Sequence, residues 1–85
     1  MKTINGFSKY QISEDGIVVG PRGHAIAPHI NKGMLAVKIH NDAGNRIAVQ
    51  IHRAVAETFM GVAAGMRVRH REGNVLNNAV ENLEI

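Results

Sequence analysis

The chain has 85 residues, no cysteine and a formal net charge of +3. That length makes one small domain, which buries only about 60% of its unfolded surface and is therefore modestly stable. Without thiols there are no disulfides and no thiolate zinc sites, no apolar run reaches the roughly 20 residues of a membrane helix, and the mild basicity tilts the chain toward polyanions.

Taken in chain order, residues 9–20 read as a hairpin. Segments 10–12 and 17–19 are strand-like, and Glu14-Asp15-Gly16 supplies the turn. Pro21-Arg22-Gly23 breaks the chain, and 24–27 is a short edge strand ended by Pro28. The clearest hairpin follows. Leu35, Val37 and Ile39 alternate in one run, Ile47, Val49 and Ile51 in the next, and residues 41–45 join them. Alternation places those six side chains on one buried face. At His52 the period changes: Ile51, Val55 and Phe59 fall on one helical face, and Gly61 caps the helix. Residues 62–65 are a linker. Met66, Val68 and His70 then share one side of a short extended run, and Arg67 and Arg69 share the other. Only Phe7, Tyr10 and Phe59 are aromatic, so the core rests on Ile, Val, Leu and Met. The fold class is α+β: two β-hairpins, one helix, and a C-terminal β-hairpin or loop. A single domain covers 1–85, with a β-rich part over 1–50 and the helix and last hairpin over 51–85.

Three stretches carry a resemblance. Residues 6–18, from Gly6-Phe7 through Tyr10 to Gly16-Ile17-Val18, are similar to the nuclease-associated modular DNA-binding motif that precedes phage HNH nucleases, without its usual upstream tryptophan. Residues 51–59 resemble the helix that the family places before its catalytic hairpin. Residues 68–83, with His70, Gly73-Asn74, Asn77-Asn78 and Glu81-Asn82-Leu83 in register, resemble the first part of the HNH motif of phage-type homing endonucleases. The last hairpin then corresponds to an incomplete ββα-metal unit. The family continues into a helix that supplies a His or Asn metal ligand, and this sequence stops where that helix would begin.

By position, the resemblance makes His70 the general base that takes a proton from the attacking water, a role suited to imidazole. It makes Asn82 the residue that braces the hairpin and orients His70. The position before the histidine is an aspartate metal ligand in some members and is Arg69 here. A positioned base contributes roughly 10²–10⁴-fold, far too little alone for phosphodiester hydrolysis, which relies on a metal for charge stabilisation. No metal ligand is assigned, and magnesium enters only if the nuclease activity holds.

The leading expectation is therefore a DNA-binding protein of the HNH family, phage-derived and truncated or catalytically degenerate, in the cytoplasm of a bacterial host. Arg67, Arg69 and Arg71 neutralise phosphates, and Asn74 and Asn78 line the same double-stranded DNA surface. One alternative is a metal-dependent nicking endonuclease completed by a second subunit, a DNA phosphate or a longer parent chain. The other is a small phage module that binds a host protein through exposed strand edges. A homodimer fits either. His52 is expected to be structural, with its ring bonding backbone groups at the helix start.

Overall fold

The computed structural model describes residues 1–63 and 65–85; Ala64, part of the expected linker, lies outside them. Asn5-Gly6 turns the chain between β1 (Lys2–Ile4) and β2 (Phe7–Ile12), and Gly6 takes φ +84°, which a residue with a side chain adopts only with strain. The expected hairpin at 9–20 is present, with β3 (Val18–Val19) pairing antiparallel to β2 through Gln11 and Ile12. The resulting sheet has the order β1-β2-β3.

The second sheet has the order β4 (His29–Asn31), β5 (Met34–His40), β6 (Arg46–Gln50). Its central hairpin has the expected register, with Val37 opposite Val49 and Ile39 opposite Ile47. The burial is less even than alternation implies. Val37 and Ile39 are fully buried, Leu35 and Val49 half-buried, and Ile47 is 39% exposed. Ile47 lines an open groove with Ile4, Phe7 and Ala54, which explains its exposure. The expected edge strand at 24–27 is corrected. Ala25 makes an isolated bridge to Val19, and the strand lies beyond Pro28 instead. Proline has no N–H to give a ladder, so regular pairing resumes only after it. Lys32 and Gly33, at φ +53° and +80°, then form the tight turn that brings Asn31 opposite Met34.

The helix α1 (Ile51–Phe59) turns Ile51, Ala54 and Val55 toward both sheets and is capped by Met60, after which Gly61 takes φ +69°. The chain then runs back to β7 (Arg69–His70), which pairs antiparallel with β8 (Leu83–Glu84) after a single 3-10 turn at Val80–Asn82. One apolar cluster joins residues from every part: Ile4, Ile12, Val18, Val37, Ile39, Val55, Val68 and Leu83. The architecture is α+β, as the sequence implies.

Candidate functional site

Between β7 and β8, Ala79 and Val80 pack inward, and side-chain amides shape the rest of the loop. Asn74 Oδ1 accepts from the Leu76 N–H at 3.1 Å, and Asn77 Oδ1 from the Ala79 N–H at 3.3 Å. Both are the local turns that asparagine favours. Asn82 spans the loop: its Oδ1 accepts from the Glu72 N–H at 3.2 Å, and its Nδ2 donates to the Asn77 carbonyl at 2.8 Å. Its own carbonyl accepts from the Arg71 N–H at 2.6 Å. Asn82 thus ties both arms of the hairpin together.

His70 lies on the inner side of β7, opposite Leu83, and only 9% of its surface is exposed. Its Nε2 lies 2.7 Å from Asn78 Oδ1. Asn78 was expected to face DNA; it is 4% exposed, and its amide oxygen is committed to the histidine. That placement removes Asn78 from the outer surface. The His70 ring is thus hydrogen-bonded to Asn78, while the Asn82 side chain bonds loop backbone groups.

His52, on the first turn of α1, is 5% exposed, and its ring centroid is 5.0 Å from that of His70, with the planes tilted by 43°. Its Nδ1 is buried without a partner, so the expected bond to the helix backbone is not made by that atom. Burial, then the charge of His70, then that of Arg53 push His52 down to about 4. His52 is accordingly an uncharged wall beside His70 near neutral pH.

Arg67, Arg69 and Arg71 are all exposed, as the alternating pattern implies. They are not equivalent. Arg69 Nε lies 2.7 Å from Glu84 Oε1, and Arg71 Nε lies 3.9 Å from Glu84 Oε2. Antiparallel pairing sets this up, because Arg69 stands directly opposite Glu84. Arg67 makes no ion pair among the described residues. Asn74 is exposed at the loop tip. Arg53 serves the scaffold, donating to the Met66 carbonyl at 2.7 Å and pairing with Glu57 at 3.3 Å.

A divalent ion does not fit the described donors. Magnesium needs hard oxygen ligands in near-octahedral array. The position beside His70 is the cation Arg69, the nearby Glu84 is held between two guanidiniums, and among the described residues no three His, Asp or Glu side chains gather as a metal site.

A short antiparallel pair thus buries a histidine beneath a loop braced by asparagines. No family model matches the chain. It is 35% identical over 80 residues to the SPbeta prophage-derived YosQ of Bacillus subtilis (strain 168), assigned by name as an HNH homing endonuclease, and covers 44% of that protein with 87% of its own length. It superposes on the HNH homing endonuclease I-HmuI, in a structure of DNA binding and cleavage by that enzyme, with a TM-score of 0.84 and 34% identity over 96% of this chain and 49% of the other. The chain belongs to the HNH homing endonuclease family and spans about half the length of these relatives.

Proposed function

We propose that the chain binds duplex DNA through the outer edge of the β7–β8 hairpin, with Arg67, Arg69 and Arg71 on phosphates and Asn74 at the loop tip. The observation that carries this is the arginine row flanking the buried His70, in a fold shared with an enzyme whose structure is one of DNA binding and cleavage. A phage origin and action in the bacterial cytoplasm agree with the prophage-derived relative. Cleavage by this chain alone is negligible on this reading, because the base position is built but a metal-holding set is not. His70 and Asn82 are its proton acceptor and loop brace.

The test is a fluorescence-anisotropy titration against duplex DNA across salt concentrations. Three arginine–phosphate contacts give a log–log slope of roughly −2.7, with little dependence on sequence. Arg67→Ala, Arg69→Ala and Arg71→Ala weaken binding and leave thermal stability nearly unchanged, since exposed charges contribute little to folding. Affinity that is flat with salt, or absent at low salt, rejects the proposal. Plasmid nicking in magnesium or manganese that disappears in His70→Ala supports the second reading, an endonuclease whose missing ligand comes from a partner subunit or from DNA. The buried, hydrogen-bonded His70 is the observation that favours this second function.

A further inference from the structure

The loop between β7 and β8 turns at its tip on residues 74–77, where the Asn77 N–H donates to the Asn74 carbonyl at 3.1 Å. Val75 and Leu76 are the two corner residues. Val75 is half-buried, whereas Leu76 is 62% exposed and stands outside the apolar cluster. Gly, Asn, Asp and Ser make such corners, and the turn has no use for a leucine. A solitary exposed leucine is ordinary on a protein surface, so exposure alone carries nothing. Ile17 and Ile30 are nearly as exposed, but they lie in residues 1–50, outside the hairpin. Leu76 shares its turn with Asn74, on the hairpin that carries the exposed Arg67, Arg69 and Arg71.

We propose that Leu76 is an apolar wedge, which the hairpin inserts between two stacked base pairs of the duplex it binds. The inference rests on the DNA-binding function proposed above and adds a distortion of the duplex to it. Leucine is among the side chains that minor-groove proteins insert at a base step, partly unstacking it. It has no polar atom to read a base edge, so it responds to how easily a step opens. The arginines supply the attraction to phosphate, and insertion removes the leucine from water. A wedge needs a stiff mount, because ordering a mobile tip would offset the gain. This turn is held on both sides. Asn74 Oδ1 accepts from the Leu76 N–H at 3.1 Å, and Asn82 Nδ2 donates to the Asn77 carbonyl at 2.8 Å. The foot of the loop is tied to a distant part of the chain. The Val80 N–H donates to the Glu14 carbonyl at 2.9 Å, and a Cβ added to Gly16 would stand 3.2 Å from Asn78 Cβ. The turn after β2 thus lies directly against the loop and backs its tip.

The test titrates the full chain against two labelled duplexes of one sequence. One is fully paired; the other has a central mismatch flanked by a fluorescent adenine analogue that is quenched while stacked. A mismatch lowers the cost of unstacking. The unsubstituted chain should bind the mismatched duplex several-fold more tightly, and the analogue should brighten on binding. Leu76→Ala and Leu76→Asn should bind both duplexes alike, without brightening, and keep the salt slope that the arginines set. Leu76→Phe, still an apolar wedge, should retain the preference and the brightening. Thermal melts of all three variants should match the unsubstituted chain, because Leu76 is a surface residue. Equal affinity for the two duplexes in the unsubstituted chain, with the salt slope of phosphate binding, overturns the wedge and leaves the DNA-binding function standing. A mismatch preference that survives in Leu76→Ala does the same. No binding to either duplex at low salt rejects both.

Discussion

The sheets of residues 1–50 and the hairpin of residues 66–85 are held together by different forces. In the sheets, Ile12, Val18, Val37 and Ile39 are all at 2% exposure or less, and apolar burial dominates. In the hairpin, Val68 and Leu83 supply buried apolar anchors, while asparagine side chains brace the loop between them alongside its backbone turns. Burial is non-directional, whereas hydrogen bonds fix angles. The region that presents chemistry is thus the one whose geometry is set by directional contacts.

Two substitutions break this comparison most sharply. Ile39→Ala should cost about 2–5 kcal/mol, a large share of the stability of so small a domain, and should lower the denaturation midpoint of the whole chain. Asn82→Ala should cost about 1–3 kcal/mol by orphaning the Glu72 N–H and the Asn77 carbonyl. Hydrogen exchange should show its effect concentrated at Arg71 and Gly73, with the Val37 and Ile39 amides little changed. Equal loss of protection across both regions would mean the hairpin has no separate stability.

His52 sharpens the comparison, because it stands where the two regimes meet. Its folded-state value near 4 lies below the unfolded value of about 6.5, so between these the unfolded chain binds more protons. Stability from this group is complete above about pH 6.5 and is lost as pH falls toward about 4, by roughly 3 kcal/mol. Denaturation midpoints at stepped pH should show that fall, and His52→Phe should reduce it. An identical pH profile in the two proteins would assign the effect elsewhere.

The smallest expected effect is at Glu84. Glu84→Gln should change folding stability by about 1 kcal/mol or less, since the pair with Arg69 is largely exposed. Duplex affinity should rise several-fold in the same anisotropy assay, because a carboxylate no longer competes with phosphate for Arg69 and Arg71. A fall in affinity would show instead that Glu84 holds the two guanidiniums in their binding pose.

Much of this molecule was legible in its sequence where one periodicity ruled. The 35–51 hairpin, the helix and the inward side of His70 all follow from spacing. The first strand was signalled by Asn5-Gly6, a strong hairpin pair whose flanking run is too short for alternation to show. The strand at His29–Asn31 was hidden because Lys32-Gly33 is not a customary turn pair, although Lys32 takes a positive φ there. Motif position placed Asn82 in the hairpin, but not the pairing of Asn78 with His70. That pairing depends on how the loop folds back, and adjacent asparagines are indistinguishable in a one-dimensional pattern. Glu84 between the arginines follows only once the β7–β8 register is known.

The contact of Gly16 and Glu14 with the segment around Asn78 bears on modularity. A peptide beginning at Ile51 would contain every nominal site residue and still lack the wall against which Asn78 stands. Grafting the hairpin and helix onto another scaffold would therefore transplant the letters of the motif without its geometry. The N-terminal turn and the last hairpin are one packed unit, although most of the chain separates them.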